Sequence, residues 1–329
     1  MNTAELIHKT AGENPVYNLF DNNNVKALLA DKPIEKTLWR DGIRSDRSLT
    51  LKSDNTHSSI DLIHTFDLDS ELFPVKFEMA ISADGQEHRR IRTLHSSSLI
   101  SLLCFYGVSE KNPLIIDIEH HRVRFTVSKF EVKNDIGYDD TGAPHQSNMD
   151  VVLTGEDMDS GKKVVFFLES KFSEYLSWGK HSEISSRVYW RTYAQLFNGN
   201  YLERMGLMTE DTPGKPGYFD LMSRKGYTRH YAGGIKQMIS HFLGVQNVAR
   251  NDQFKNCDVY LGEILFKFDE TIDPGGKKFK DYTGLYEILA EGLNDLAESQ
   301  FKVVNKCLTY QDVFRDFNLD KAVREFYSL

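Results

Sequence analysis

The stretch from Asp150 to Phe172, DVVLTGEDMDSGKKVVFFLESKF, constrains this chain more than any other. A short apolar strand opens on an aspartate, and a polar stretch with Gly155 and Gly161 turns the chain. A second strand, Val164 to Leu168, is apolar at every position. It delivers Glu169, Ser170 and Lys171. Side chains alternate along a strand, so Glu169 and Lys171 share a face. Paired as a hairpin, the two strands set Asp150 opposite them, and two carboxylates and one ammonium converge at the rim of a sheet. That set can hold a hard divalent cation beside a proton-handling amine.

The letters alone do not carry this reading, because Glu and Lys are common and Glu131-Val132-Lys133 repeats the pattern. Context separates the two. Glu131 follows an amphipathic strand with no aspartate-led strand before it, whereas Glu169 ends an apolar strand one hairpin after Asp150. The alternative is a surface cross-strand ion pair, worth about 1 kcal/mol or less. A carboxylate and an amine directly after five apolar positions fit that alternative poorly.

The bulk properties narrow the class. A chain of 329 residues, 40% hydrophobic, with alternating strand and helix patterns, fits one large α/β domain with attachments or two tightly packed ones. The longest apolar runs, Leu99–Val108 and Val164–Leu168, are too short to span a membrane. The N-terminal MNTAELIHKTAGENP lacks the apolar stretch of a signal peptide. Cys104, Cys257 and Cys307 are odd in number and lack C-x-x-C spacing, so a reducing, cytoplasmic setting is expected and a structural zinc is not. The net charge of −8 repels nucleic acid over the whole molecule. Locally the balance reverses: Tyr175 to Lys236 holds nine basic residues against five acidic ones.

Periodicity places the other elements. Val25–Ala30 reads as a helix fragment, and Ser48 to Phe77 alternates as short strands. Ser96–Ser98 caps a helix whose apolar residues from Leu99 to Phe105 cover most of its circumference, with Gly107 to stop it. Arg122–Lys133 alternates Val123, Phe125 and Val127, then shifts phase to Phe130 and Val132, as a strand with a bulge does. Trp178 to Met205 reads as a helix with Ser182 as cap, its aromatics at packing spacing, and residues 206–228 as a Gly/Pro-rich insertion or flap. Ala232–Gly244 is the cleanest helix, closed by Gly244. A strand at Asp258–Phe268, a helix at Leu285–Leu296, a strand at Phe301–Leu308 and short helices after Thr309 complete the chain. There is no G-x-x-x-x-G-K-[ST], H-E-x-x-H, G-x-S-x-G or G-x-G-x-x-G.

From Ser96 the order is helix, three strands, insertion, helix, strand. With Asp150, Glu169 and Lys171 on the three motif positions, this resembles the PD-(D/E)XK nuclease superfamily over roughly Glu87 to Phe268. Gly85-Gln-Glu87 followed by His95-Ser-Ser-Ser98 resembles a restriction-like subgroup. The resemblance implies an α/β restriction-endonuclease-like core, a mixed central sheet flanked by helices, with N-terminal and helical insertion elements. Residues 1–84 would form a support region, and 85–329 the nuclease-like domain with its insertion at 178–228. It implies a metal-dependent endonuclease acting on DNA, and a homodimer where both strands are cut. Asp150, Glu169 and the backbone carbonyl of Ser170 would hold Mg²⁺, with Mn²⁺ as substitute, and Lys171 would orient or deprotonate the water or stabilise the transition state. Some superfamily members place a glutamine and an extra acidic ligand near the site, which here would be Gln237 and Glu87. The plain alternatives are a solvated helix residue and a surface residue. His241, on the face of Gln237, is expected as a polar neighbour. The rival function is a catalytically idle nuclease-fold module that binds nucleic acid or protein.

Overall fold

The structure is a computed structural model that describes residues 34–41, 44–51, 59–81, 91, 96–138, 141–172, 174–176, 187–205, 207–210, 218–221, 232–268, 270 and 273–329. In chain order the elements are β1 (Ile34–Asp41), β2 (Arg44–Leu51), α1 (Ser59–Phe66), α2 (Leu72–Ile81), α3 (Ser97–Phe105), β3 (Leu114–Ile118), β4 (His121–Tyr138), β5 (Pro144–Asp157), β6 (Lys163–Lys171) and α4 (Arg187–Asn198). They continue with α5 (Tyr201–Arg204), β7 (Leu207–Glu210), β8 (Tyr218–Leu221), α6 (Ala232–Ala249), β9 (Cys257–Leu265), α7 (Lys277–Asn294), β10 (Phe301–Val303), β11 (Leu308–Thr309), α8 (Tyr310–Val313) and α9 (Lys321–Tyr327). The expected helix at Val25–Ala30, the Ser182 cap and Glu87 lie outside the described residues.

Seven strands form one open, mixed sheet, ordered β10-β9-β6-β5-β4-β3 with β11 also on β9. The successive pairs β3–β4, β4–β5 and β5–β6 are antiparallel. β9 then lies parallel to β6, and β10 and β11 parallel to β9. The change of sense follows from the connections: tight turns join β3 to β6, while the β6–β9 crossover carries α6. The fold class is therefore α/β, a mixed sheet flanked by helices. β6 lies between β5 and β9 and is buried on both faces from Val164 onward, which explains its uninterrupted apolar run.

The β5–β6 turn is built by Asp157 and Gly161. Asp157 accepts from the Ser160 N–H at 2.6 Å and the Asp159 N–H at 3.2 Å, and Gly161 takes φ +68°, which only glycine adopts freely. Gly155 sits inside the strand rather than in the turn. β5 also starts earlier than expected, at Pro144, so Asp150 lies in mid-strand. The β4–β5 register shifts twice, between Phe125 and Val127 and between Asp135 and Gly137, and the first shift comes earlier than the sequence phase implied. That first shift leaves Val127 41% exposed and turns Ser128 inward, where its hydroxyl donates to Phe105 O at 2.9 Å.

Several expectations are corrected. The described residues between Ser48 and Phe77 form one strand end and two helices, not a run of short strands. Leu62 and Phe66, like Phe73 and Phe77, are buried at i, i+4, the helical period. These residues belong to the same hydrophobic core as the sheet. Edge strand β3 is additional to the expected order. Of the helix expected from Trp178 to Met205, the described residues form two, α4 from Arg187 and the short α5, and the segment 206–228 contains an antiparallel pair, β7 and β8. Helix α6 runs through Gly244 to Ala249. A Cβ at Gly244 would lie 2.4 Å from Ser147 Oγ and 3.0 Å from Asn134 Cβ, so this glycine lets the helix press onto β4 and β5 rather than ending it. Helix α7 starts at Lys277, eight residues before the expected Leu285, with Asp273 accepting from the Lys278 and Phe279 N–H groups at 2.9 Å each. The strand expected at Phe301–Leu308 is two short pieces, β10 and β11.

Helix α3 forms as the sequence implies. Ser96 Oγ accepts from Leu99 N at 3.1 Å, and Ser98 to Phe105 are all buried. It packs on one face of β5 and β6, and α6 covers the other. The carboxyl end of β6 thus lies between two helical layers, at the strand ends where open α/β sheets place their sites.

Candidate active site

The β5–β6 register pairs Val151 with Leu168, and one more step sets Asp150 across from Glu169. The Ser170 N–H donates to Asp150 Oδ2 at 2.7 Å, which docks the aspartate on the end of β6. Alternation sends Glu169 and Lys171 toward α6 and Ser170 toward α3. Strand β9 adds Glu263, the in-register neighbour of Glu169. In a parallel pair such neighbours share a face.

Helix α6 closes the site from above. Lys171 Nζ donates to Glu169 Oε1 at 2.6 Å and to Gln237 Oε1 at 2.6 Å. Gln237 Nε2 also donates to Glu169 Oε1. One turn on, His241 Nε2 lies 2.9 Å from Glu169 Oε2, an ion-pair distance off the line of a good hydrogen bond, so neither atom has a well-directed partner. Glu169, Lys171 and His241 are 2%, 7% and 2% exposed, while Asp150 and Gln237 are partly exposed. Solvent therefore reaches this cluster on the side of Asp150 and Gln237.

The electrostatics push the carboxyls apart. Burial raises the Glu169 pKa, but the charges of Lys171 and then His241 outweigh it and hold the group at about 2. Burial pulls Lys171 down, yet Glu169, Glu174, Glu263 and Asp150 together raise it above its ordinary value. It stays an ammonium, as the flanking carboxylates imply. Asp150 is pushed well above the usual carboxylate range by burial, then by Glu169 and Glu131, with Lys171 and the Ser170 N–H opposing incompletely. Its partial surface exposure moderates the size of that effect, not its direction. Burial also raises Glu263, to about 7. Its Oε2 accepts from Tyr282 OH at 2.7 Å, and its Oε1 has no hydrogen-bond partner.

Asp150, Glu169, Ser170, Lys171 and Gln237 are thus brought together, and His241 touches Glu169 rather than merely sharing a helix face with Gln237. Sequence reasoning missed Glu263, Tyr282 and Glu131. Glu131 was the contrast case for the Glu-x-Lys pattern, yet the pairs Phe130–Val151 and Val132–Met149 set it across from Asp150. Its φ of +48° is unusual for a residue with a side chain. On the other face, Ser170 Oγ meets Tyr310 OH at 2.7 Å, a contact between residues 140 positions apart that no local pattern announces.

The donor set fits a hard, water-rich cation. Glu169 Oε2 is a buried carboxylate oxygen whose near neighbour, His241 Nε2 at 2.9 Å, is not a well-directed partner, Asp150 sits at the open side, and the Ser170 carbonyl belongs to the residue that follows Glu169. Among the described residues no three His, Cys, Asp or Glu side chains gather as metal ligands. Two carboxylates and a carbonyl suffice for Mg²⁺, which keeps several waters, whereas zinc takes four protein ligands in structural sites. Nor is any described helix long and apolar enough to cross a membrane. No family model, curated protein or solved structure matches the chain, so its functional reading stands on the geometry of β5, β6 and α6.

Proposed function

We propose that the chain is a divalent-metal-dependent phosphodiesterase of endonuclease type, acting on DNA with a restriction-endonuclease-like core. The observation that carries this reading is the convergence of Asp150, Glu169, Lys171 and Gln237 at the carboxyl end of β6. Asp150, Glu169 and the Ser170 carbonyl would hold Mg²⁺, or Mn²⁺ in its place. Such an ion lowers the pKa of a bound water and neutralises charge at phosphorus.

The remaining work falls to the side chains. Lys171 is held charged chiefly by Glu169, with Glu174, Glu263 and Asp150 adding to it, which favours donation from Nζ to the developing anion over proton abstraction from the water. Gln237 fixes the lysine and Glu169 Oε1 relative to each other through its amide. Glu169, kept ionised, needs no deprotonation before binding a cation, whereas Asp150 must release a proton.

A second reading, an idle nuclease-fold module that binds nucleic acid or protein, is favoured by one observation. The Lys171–Glu169 pair is almost sealed from solvent and satisfies itself at 2.6 Å. Incubation with plasmid and with single-stranded DNA in Mg²⁺, Mn²⁺ or EDTA separates the two. Metal-dependent cleavage abolished by Lys171→Ala is the expected result. Binding without cleavage selects the idle module in its nucleic-acid-binding form, and neither binding nor cleavage removes the nuclease reading and leaves a module that binds another partner.

A further inference from the structure

Ser170 contributes two backbone groups to the site: its N–H holds Asp150 Oδ2 at 2.7 Å, and its carbonyl is a proposed cation ligand. The orientation of both depends on how this one residue is seated. Its side chain points away from the site, into the layer of α3 and α8, where four groups form a buried chain. Ser170 Oγ lies 2.7 Å from Tyr310 OH. Tyr310 OH lies 3.2 Å from Ser101 Oγ. Ser101 Oγ donates to Ser97 O at 2.6 Å, and Ser170 Oγ reaches the same carbonyl at 3.2 Å. With the protons of Ser101 and Ser170 given to Ser97 O, the Tyr310 proton goes to Ser170 Oγ, the shorter of its two contacts.

Tyr310 is the member that comes from elsewhere in the chain. It is 0% exposed and opens α8, where Thr309 Oγ1 caps the helix by accepting from Asp312 N at 3.1 Å. The preceding β11 pairs with β9 at Ile264 and Leu265, whose partners on β6 are Ser170 and Lys171. Phe314 stacks on the Tyr310 ring, at 5.9 Å and 16°, and Phe105 of α3 abuts it at 6.2 Å. The phenol is therefore held between two rings before it reaches Ser170.

From this geometry we infer that Tyr310, through Ser170, is a positioning residue for the cation site: it fixes the peptide that carries one ligand and orients another. The inference deepens, and rests on, the metal-dependent reading above. Removing the phenolic oxygen leaves the Ser170 side chain only the longer contact to Ser97 O and loosens the seat of a peptide that the β6–β9 ladder then holds without it. Partners that orient ligands from behind typically change metal affinity by about 10–100-fold.

The test is Mn²⁺ titration calorimetry on the full chain, with the site-specific heat defined as the part lost in Asp150→Asn. Tyr310→Phe is expected to weaken that binding about tenfold while the protein still unfolds cooperatively. Tyr310→Phe/Ser170→Ala should bind no more weakly than Ser170→Ala alone, because both interrupt one chain. Wild-type affinity in a Tyr310→Phe protein of lowered melting temperature overturns the inference, since the tyrosine is then only a packing residue. Additive losses in the double variant also overturn it. A wild type with no site-specific heat overturns the metal reading itself, and the two failures are thereby told apart.

Discussion

Replacing Glu263 with Gln tests the electrostatics of the site without touching Asp150, Glu169 or Lys171. Glu263 is 1% exposed and sits beside Glu169 on the neighbouring strand. Burial, followed by the charges of Glu169 and Glu174, raises its pKa from 4.5 to about 7, against Lys171 and the Tyr282 hydroxyl. A folded pKa above the unfolded one means that the folded state keeps its proton longer. The associated stability is fully present below about pH 4.5 and is lost as pH rises through about 7. At about 1.4 kcal/mol per pH unit, the loss is about 3 kcal/mol. For 329 residues at about 2 cal/mol/K each, that is about 4 °C in melting temperature. The glutamine has no proton to lose. Its carbonyl still accepts from Tyr282, and any cost of its amide nitrogen is independent of pH. The variant-minus-wild-type difference in melting temperature, followed by calorimetry from about pH 4 to about pH 8, should therefore shift by about 4 °C in the variant's favour. Parallel pH curves for the two proteins would refute both the shift and its attribution to burial.

Two other perturbations follow from the same packing. Lys171→Met leaves the Glu169 carboxylate buried without its cation, and should destabilise the fold by about 3–5 kcal/mol near neutral pH. The folded-state pKa of about 2, below the ordinary 4.5, means the stabilisation is present above 4.5 and is lost as pH falls toward 2. The variant's deficit should shrink on acidification, and a deficit unchanged down to about pH 3 would contradict the pairing. Gly244→Ala forces a methyl to 2.4 Å from Ser147 Oγ and should cost about 1–3 kcal/mol. Ser147→Gly in the same chain should recover part of that loss in urea midpoint, and no recovery would locate the strain elsewhere.

What could be read from the sequence were features carried by local periodicity. Five apolar residues ending in Glu-Ser-Lys fix a doubly buried strand and the face of each following side chain, so Glu169 and Lys171 were legible without a partner strand. The hairpin turn was legible from Gly161 and its polar flank. The start of β5 was not, because PHQSNM is polar in composition, and Ser147 and Met149 become core only when α6 settles on them. Gly244 was misread for a related reason: a glycine that ends a helix and one that admits a neighbouring strand look alike in one dimension. Helices α1 and α2 were read as strands because short apolar spacings of two and four overlap in a window of a few residues. Glu263 and Tyr310 could not be found at all. Their roles depend on a parallel pairing across the crossover that runs from Lys171 to Cys257 and on a C-terminal segment folding back beneath β6.

The arrangement of charge around Lys171 weighs on the choice between a cation site and an inert ion pair. An inert pair needs one carboxylate and one amine with their remaining lone pairs satisfied. Here four carboxyl groups act on the single lysine, and the cluster limits its negative charge by raising the pKa of two of them, Asp150 and Glu263. Asp150 is the one near solvent, and the Ser170 N–H holds it beside β6, where it acts on the Lys171–Glu169 pair through its charge alone. A buried ammonium does not require such a neighbour. A divalent ion does, because it can take the place of the proton on Asp150 and offset the charge of Glu169 at once. The excess of acid over base at the carboxyl end of β6 therefore favours a site that accepts a cation over a self-contained salt bridge.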